Sequence, residues 1–339
     1  MPADRTPAIS IITPVWNGMP FLQECIESVL KQDFQDWELI ISDDGSTDDS
    51  LAYLATLKDP RIRLFRQDKN LGIFGNLNFI FRQACGPISQ ILCQDDFFVS
   101  PHSLRRIVDY WEGVDSAIGY ACFNQSNLPE RGYVGFFKRH QPRQITSSAS
   151  DLWYYVFGCM PGNLSNVTLR TAIVSDCGWF REDLPYVGDF EFWARAGRRF
   201  NFHFVPDVVT DVRAHAGQAS NHLNQRGEYV WQEGTVVGEL FHRLQEERVA
   251  PELLLRLHAT IRYHARQLEI GLRRWWQGSS AYLCEVQVVS QTLEYRMNRV
   301  VSWIFFILSL GGRFGPNITG RYLLDLTVLM NPPQFHWRR

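Results

Sequence analysis

Residues 37–48, WELIISDDGSTD, show the pattern that decides the fold. A largely apolar run, which we interpret as a buried strand, ends directly at Asp43 and Asp44, and a glycine turn follows. Residues 8–14 (AISIITP) and 88–96 (ISQILCQDD) have the same form, with polar residues at the end of an apolar strand. Long apolar runs of this kind are typical of strands that are covered on both faces.

Helix-like segments separate these strands. Apolar residues at positions 21, 22, 25, 26, 29 and 30 have the spacing of an amphipathic helix. Residues 61–65 (RIRLF) predict another strand, residues 73–84 predict a second helix, and we expect Thr47 to cap the helix that follows it. Strands that alternate with helices indicate an α/β fold with a mostly parallel sheet flanked by helices. Ligands of such sheets bind beyond the carboxyl ends of the strands.

Three polar clusters fall at these predicted strand ends: Thr13-Pro14, Asp43-Asp44 and Asp95-Asp96. Carboxylate oxygens are the ligands that Mg²⁺ and Mn²⁺ prefer, and a cation held there would also bind a substrate diphosphate. Adjacent acids directly after a buried strand are costly without a cationic partner. The alternative is that these residues are ordinary turn formers and helix caps.

Two further clusters lie in the second half of the chain. Asp189, in residues 188–193 (GDFEFW), begins an aromatic-rich predicted helix and is placed to take a proton from an acceptor hydroxyl. The alternative is that Asp189 caps this helix. His215, in residues 212–220 (VRAHAGQAS), is a candidate metal ligand or phosphate contact, with a satisfied structural histidine as the alternative.

The order and spacing of these motifs, across residues 8–222, resemble the family 2 glycosyltransferases. The motifs are PVWN at 14–17, DDGSTD at 43–48, NLG at 70–72, Asp95-Asp96, Asp189 before Trp193, and HAGQAS at 215–220. The resemblance implies a GT-A (Rossmann-like) fold and an inverting transfer of a sugar from a nucleoside-diphosphate sugar to an acceptor hydroxyl. It also implies a divalent cofactor, Mn²⁺ or Mg²⁺, and a saccharide or lipid-linked saccharide acceptor in bacterial surface polysaccharide, lipopolysaccharide or glycolipid synthesis.

Carried over by position, the resemblance also assigns roles to single residues. It implies that Asp189 is the catalytic base and that Asp96 binds the metal that bridges the diphosphate. The implied metal ligands are Asp96, Asp95 and His215. The implied donor-binding residues are Thr13, Pro14, Asp43, Asp44, Asn70 and Asp95.

Two positions depart from the family pattern. Cys93 stands where the family often has an acid, and Gly188 stands where a Glu precedes the base. Glu191 is a fallback base, although a shift of two residues turns it to another side of the helix. The departure at Gly188 keeps open a non-catalytic alternative, a nucleotide-sugar-binding or scaffolding protein of the same fold. A nucleotidyltransferase would need a Gly-rich basic loop after the first strand and a dehydrogenase a GxGxxG motif, and both are absent.

The predicted catalytic domain covers residues 1–226, with a nucleotide-sugar half (1–112) and an acceptor half (113–226). A mainly helical extension follows at 227–339. From residue 251 onward, eleven Arg and no Lys face four Glu and one Asp, a net +6, although the whole chain carries −2. The extension is predicted to pack on the catalytic domain or form a homodimer contact, with residues 300–310 buried. The alternative is contact with anionic lipid headgroups or a lipid-linked acceptor.

The amino-acid composition limits which other classes of protein and cellular compartments fit this sequence. The near-zero net charge argues against a nucleic-acid partner. Seven scattered Cys without a CxxC pair do not indicate a zinc or thioredoxin-like site, and several of them are predicted to be small buried residues in a reducing compartment. The N-terminus lacks the apolar run of a signal peptide, and residues 300–310 are too short to span a bilayer. We therefore expect a cytoplasmic protein, with at most a peripheral contact with the inner face of the membrane.

Overall fold

The computed structural model describes residues 6–127, 129, 132–215, 218 and 227–330, and of residues 327–330 only the backbone. Strands and helices alternate along the first hundred residues, as the sequence predicts. The strands are β1 (Ile9–Val15), β2 (Trp37–Asp43), β3 (Ile62–Arg66), β4 (Ile88–Ile91), β5 (Phe97–Phe98), β6 (Ile118–Cys122), β7 (Gln144–Ile145), β8 (Val167–Arg170), β9 (Asn201–Phe204) and β10 (Thr210–Asp211).

Helices cover the sheet and make up most of the chain beyond residue 227. They are α1 (Phe21–Leu30), α2 (Ser50–Leu54), α3 (Gly72–Gln83), α4 (Ser103–Glu112), α5 (Gly132–His140), α6 (Ser150–Phe157), α7 (Ala172–Asp176), α8 (Gly188–Gly197), α9 (Glu228–Glu246), α10 (Glu252–Ala259), α11 (Ala265–Trp276), α12 (Ala281–Val289), α13 (Arg299–Leu308) and α14 (Pro316–Met330). A π-helical turn, Thr260–His264, joins α10 to α11.

The main sheet of the described residues has the strand order β3-β2-β1-β4-β8-β6-β9-β7. Its first four strands are parallel, β8 is antiparallel to both of its neighbours, and β9 runs parallel to β6. Strands β5 and β10 pair separately as a short antiparallel ribbon. The predicted α/β class, with a mixed and mostly parallel sheet flanked by helices, is confirmed.

The main sheet is covered on both faces, which explains its long apolar runs. All seven residues of β2 are buried. Alternate residues of β1 and β2 pack on α1 and α4 on one face and on α3, α6 and α8 on the other. Glu38 is buried inside β2, and its carboxylate accepts hydrogen bonds from Ser10 Oγ (2.6 Å), the Cys85 backbone N–H (2.7 Å) and Arg63 (2.8 Å). These partners offset the cost of burying a charge.

One local prediction is wrong, because Thr47 does not cap a helix. Helix α2 begins at Ser50, and Asp48 Oδ1 accepts the Ser50 backbone N–H at 3.0 Å. The Thr47 backbone N–H instead donates to Asn17 Oδ1 at 2.7 Å, so this residue joins two loops. The prediction that several cysteines are buried is confirmed for Cys25, Cys122 and Cys177, whereas Cys85 and Cys284 are exposed, and all seven thiols are free.

The helical extension packs on the sheet domain through α9, α10 and the π-helical turn. Tyr155 Oη on α6 donates to the Leu255 carbonyl at 2.8 Å, and Tyr263 Oη donates to the Tyr155 carbonyl at 2.6 Å. Residues of α9, α10 and α14 share one hydrophobic core with α6 and α8. The predicted boundary near residue 226 lies outside the described residues and stays a prediction.

The expectation that residues 300–310 are buried in this extension is wrong. Val300, Ile307 and Leu308 are 70%, 65% and 68% exposed, and the buried residue of α13 is Ser302. In the part of the chain that the structure describes, no helix is both long and apolar enough to cross a membrane.

A buried ion pair between α6 and α9 offers a test of this packing. Asp151 is buried, and it accepts hydrogen bonds from Arg243 Nε (2.8 Å) and a terminal guanidinium nitrogen (3.2 Å). Replacing Asp151 with Ala removes the short contacts of Arg243, whose other partner Glu239 is 3.9 Å away, and the 3.5 Å contact with Arg198. The free energy of unfolding should therefore fall by about 3 kcal/mol. Urea denaturation measures this change.

The matched control is Asp183→Ala, since Asp183 pairs with Arg181 but is 63% exposed. An exposed pair contributes less than about 1 kcal/mol. Equal stability losses in the two variants would contradict the packing of α9 on α6.

Candidate active site

The loops that follow β1, β2 and β4 are joined to one another by side-chain hydrogen bonds. Asn17, at φ 50°, accepts the Thr47 backbone N–H and donates its own backbone N–H to Ser46 Oγ at 2.8 Å. Gln94, after β4, accepts the Trp16 backbone N–H at 2.7 Å and donates to the Trp16 carbonyl at 2.9 Å. The carboxyl edge of the sheet is therefore a single braced surface.

Asp43 and Asp44 both bind backbone at this edge. Asp43 Oδ2 accepts the N–H groups of Gly45 (3.2 Å) and Ser46 (3.1 Å), and Gly45 has φ +81°, a value suited to glycine. Asp44 Oδ1 accepts the Leu71 N–H at 2.7 Å, and burial raises the pKa of Asp44. Asp43 and Asp44 therefore each use one carboxylate oxygen to stabilise a turn, as the structural alternative predicts.

Asn70 completes the link to the loop after β3. Its Nδ2 donates to the Asp44 carbonyl at 3.2 Å, and its Oδ1 accepts the Gly72 N–H at 2.9 Å. The structure therefore brings together three of the predicted donor-binding residues: Asp43, Asp44 and Asn70.

Thr13 and Pro14 lie closer to the sheet interior than a ligand contact requires. Thr13 is fully buried, and its Oγ1 has no hydrogen-bond partner among the described residues. Pro14 is half-buried and sits in register with Ser42. Asp43 Oδ1 is likewise enclosed without a partner in the described chain. Thr13 Oγ1 and Asp43 Oδ1 are therefore enclosed, whereas Pro14 is partly exposed.

Asp95 and Asp96 meet the segment after β10. Asp96 is fully buried, and its Oδ1 accepts the Arg213 backbone N–H at 3.1 Å. Burial raises the pKa of Asp96 to about 6, and the neighbouring Asp95 charge adds to this shift. Asp95 Oδ2 lies 3.1 Å from His215 Nε2, and the Arg213 guanidinium donates to the Asp95 carbonyl at 2.8 Å. The three predicted metal residues therefore lie in one cluster.

This cluster suits a cation that substrate oxygens help to hold. Among the described residues, no group of three or more His, Cys, Asp or Glu forms a metal cage. Asp96 Oδ2, however, is buried and without a hydrogen-bond partner in this part of the chain. Mg²⁺-type ions are commonly held by one or two carboxylates together with substrate phosphates. Residues 216, 217, 219 and 220 of the predicted cluster lie outside the described residues.

Asp189 lies in the first turn of α8. Its Oδ1 accepts the Phe190 N–H at 2.8 Å, and Cys159 Sγ donates to Oδ2 at 3.5 Å. Burial raises the pKa of Asp189 to about 6. Val187 is the N-cap of α8, so Asp189 does not serve as the cap. Glu191, the fallback base, has both oxygens bound by Arg195 (2.8 and 2.7 Å).

The loop of residues 159–165 connects the Asp189 region with the Asp96 region. Cys159 at one end contacts Asp189, and at the other end Ser165 Oγ accepts the Cys93 backbone N–H at 2.9 Å. Cys93, the first departure from the family pattern, thus anchors the strand end through its backbone. Gln94 belongs to the polar cluster at the end of β4 and Arg213 is next but one to His215, but the sequence assigns neither a contact. The sequence does not mark Ser165 or Cys159, because each acts through contacts with residues distant in the chain.

Gly188, the second departure, has a packing explanation. A Cβ at Gly188 would lie 2.6 Å from Phe74 Cε2 and 3.0 Å from the Arg181 carbonyl oxygen. Phe74 is itself stacked on Phe180, with ring centroids 5.6 Å apart. The first turn of α3 therefore fills the space that a side chain at this position would need.

Comparison with known proteins identifies a family whose model covers the strands and loops described above. Residues 10–163 match the family model described as glycosyl transferase family 2. This stretch is a family 2 glycosyltransferase domain. It contains β1 to β4 and the predicted donor edge, whereas Asp189 and His215 lie beyond the matched stretch.

Bacterial proteins are among those that are similar to this chain. A Haemophilus influenzae protein named as an uncharacterized glycosyltransferase is 24% identical over 228 residues, covering 65% of this chain and 70% of the relative. The Campylobacter jejuni GalNAc(5)-diNAcBac-PP-undecaprenol beta-1,3-glucosyltransferase is 38% identical over 97 residues, 28% of this chain and 31% of the relative.

A solved structure shows the same fold. The mannosyltransferase PcManGT from Pyrobaculum calidifontis, in complex with GDP-Man and Mn²⁺, superposes with a TM-score of 0.53 at 16% identity. The superposition covers 98% of this chain and 89% of that chain. The predicted GT-A fold is confirmed.

Substitution of Gly188 tests the contact between α3 and α8. Gly188→Ala should lower the free energy of unfolding by about 1–3 kcal/mol, because the new methyl group overlaps the Phe74 ring. Adding Phe74→Leu should recover part of this loss, so the two effects should be non-additive in thermal denaturation. Gly113→Ala is the matched control, since its Cβ would meet nothing closer than 3.9 Å. Equal stability of the Gly188→Ala and Gly113→Ala variants would contradict the packing explanation.

Proposed function

We propose that this chain transfers a sugar from a nucleoside-diphosphate sugar to a hydroxyl group of an acceptor, with inversion and with Mn²⁺ or Mg²⁺. The observation that carries the proposal is the enclosed, unpartnered Asp96 oxygen at the braced carboxyl edge, inside a family 2 domain. Buried carboxylate oxygens normally have partners, and a cation bound at this edge would supply one.

The donor would occupy the edge formed by the loops after β1, β2, β3 and β4. Asp43, Asp44 and Asn70 line the nucleoside side of this edge in the proposal, with Thr13 and Pro14 beneath them. Because Asp43 and Asp44 each hold a neighbouring loop, they would shape the site as well as contact the donor. Asp44 Oδ1, for example, fixes the backbone at Leu71.

The divalent ion would be held by Asp96 and Asp95, with His215 beside them. When bound, such an ion offsets negative charge on the departing diphosphate. The Arg213 backbone N–H holds Asp96 Oδ1 and thereby fixes the orientation of the carboxylate. His215 orients Asp95 from the other side.

Asp189 is the proposed general base. In a single displacement, the acceptor oxygen bonds to the anomeric carbon, the bond to the diphosphate oxygen breaks, and the acceptor proton passes to Asp189. A pKa of about 6 leaves this carboxylate ionised at neutral pH yet more basic than an exposed Asp. Cys159 and the Phe190 N–H hold the carboxylate in place.

The acceptor is proposed to be a saccharide or lipid-linked saccharide in bacterial surface polysaccharide, lipopolysaccharide or glycolipid synthesis. The name of the Campylobacter jejuni relative, which includes an undecaprenol diphosphate carrier, supports this class. The protein would act in the cytoplasm or on the inner face of the membrane. A non-catalytic binding or scaffolding protein is less well supported, because Phe74 accounts for Gly188 by packing.

Replacing Asp189 with Asn should lower kcat by about 10²–10⁴ while the affinity for the donor is unchanged. The amide keeps the shape of the carboxylate but cannot accept the proton. Steady-state assays with a nucleoside-diphosphate sugar measure kcat, and calorimetry measures donor binding. The matched control is Asp183→Asn, an exposed Asp in the loop before α8, which should retain full activity.

The pH profile gives this assignment a second readout. Burial raises the pKa of both Asp189 and Asp96 to about 6, so both carboxylates lose their ionised form as the pH falls through this value, and kcat/KM should decline there in the parent protein. Near-normal turnover by the Asn variant would refute the assignment.

Replacing Asp96 with Asn should weaken donor binding about tenfold or more when Mn²⁺ is present. When EDTA removes the metal, the affinity of the variant and of the parent for the donor should be nearly the same. The amide keeps an acceptor for the Arg213 N–H but lacks the charge that the cation requires. Calorimetry with nucleoside diphosphates in the presence and absence of Mn²⁺ measures the effect. Asp109→Asn, on the exposed face of α4, is the control. Equal affinity of the Asp96 variant and the parent in Mn²⁺ would contradict the metal role.

A further inference from the structure

Helix α13 is oriented with its apolar side chains outward. Five apolar residues at the helical spacing i, i+3, i+4, i+7 and i+8 are exposed, whereas Ser302 in the same helix is buried. The exposed residues are Val300 (70%), Trp303 (41%), Ile304 (49%), Ile307 (65%) and Leu308 (68%), and together they are called the apolar face. A helix that faces water normally has the opposite arrangement.

The chain after α13 adds further exposed apolar residues. Leu310, Phe314 and Ile318 are 61%, 63% and 74% exposed. The Phe314 N–H donates to the Ser309 carbonyl at 2.9 Å, so the chain folds back at the end of α13. Single exposed apolar residues are common on protein surfaces, but many exposed apolar residues within one short stretch of chain mark an interaction site.

Arginines flank the apolar face at both ends. Arg299, which is exposed, is the first residue of α13, and Arg296, which is partly buried, lies three residues before it. At the other end, Arg266, Arg273 and Arg313 all contact Glu269, which is the single acid in that cluster of described contacts. Their side chains are 43%, 54% and 55% exposed, and the Glu269 side chain is 14% exposed. One carboxylate cannot neutralise three guanidinium groups.

The sequence around the apolar face also lacks acids. Residues 295–324 contain four Arg and no Lys, Asp or Glu. An exposed Trp on the face, Trp303, and two more at the end of α11, Trp275 and Trp276, are amphipathic residues that favour a membrane–water interface. Apolar residues, Trp and flanking Arg together are the composition of a helix that lies in the plane of a bilayer surface.

We propose that the apolar face of α13 docks on the surface of an anionic lipid bilayer. The helix would lie parallel to the membrane plane, with the apolar face among the acyl chains and the flanking arginines at the phosphate groups. Ten residues of helix extend about 15 Å, roughly half of a hydrocarbon core about 30 Å thick, so α13 suits this position and not a crossing.

Charge favours lipid over a second copy of this chain. A two-fold contact places the same surface patch on both sides of the interface. It would bring the arginines at the ends of the apolar face toward those of the partner copy, with few acids to offset them. Lipid phosphates supply the negative charge that the face lacks. In combination with the proposed function, this docking would place the catalytic domain where lipid-linked acceptors lie.

Vesicle flotation of the full chain tests the proposal. The parent protein should float with vesicles of phosphatidylcholine and phosphatidylglycerol, and much less with phosphatidylcholine alone or at high salt. Ile304→Ser with Ile307→Ser should weaken binding at least tenfold. The matched control, Leu64→Ser with Leu253→Ser, replaces exposed leucines (42% and 67%) elsewhere and should float like the parent. Thermal denaturation confirms that both double variants are folded.

Three results would overturn the proposal. The first is that the parent binds neither kind of vesicle, and the second is that the parent and the Ile304/Ile307 variant bind equally. The third is that the parent forms a dimer without lipid and does not bind vesicles, whereas the Ile304/Ile307 variant is a monomer. Asp189→Asn should float like the parent, so loss of catalysis and loss of membrane binding are distinguishable.

Discussion

The structure depends on the parallel direction of neighbouring strands, which places their carboxyl ends at the same edge of the sheet. Because β2, β1 and β4 run in the same direction side by side, their carboxyl ends bring three loops to one edge. Each loop contributes a side chain that binds the backbone of its neighbour: Asn17, Asp44 and Gln94. This bracing holds Asp95 and Asp96 at the edge of the sheet. Without these contacts the same carboxylates would lie in mobile, solvated turns and would not be held together as a possible cation site.

The surroundings of Asp189 depend on contacts in the second half of the chain in the same way. The loop of residues 159–165 contacts Asp189 through Cys159 and the end of β4 through Ser165. Helices α9 and α10 support α6, which leads into this loop. The extension therefore has two different sides: one packs on the sheet domain, and α13 presents apolar residues outward.

The fold could be predicted from the sequence because its signals are local. Apolar runs ending in Asp43-Asp44 and Asp95-Asp96 fix both the strands and the edge at which the site lies. The missed features depend on contacts between distant residues. Nothing near Gly188 in the sequence points to Phe74, and nothing near Thr13 shows that its hydroxyl is enclosed. The error at residues 300–310 has another cause: apolar composition predicts that a helix avoids water, but it does not specify whether protein or lipid covers it.

The measurement that tests the central claim most directly is anomalous diffraction from crystals soaked with a nucleoside diphosphate and Mn²⁺. The account predicts a manganese peak about 2 Å from a carboxylate oxygen of Asp96, with the nucleotide lying across the loops after β1, β2 and β4. A nucleotide bound at another surface, or bound at this edge with manganese away from Asp96, would contradict it.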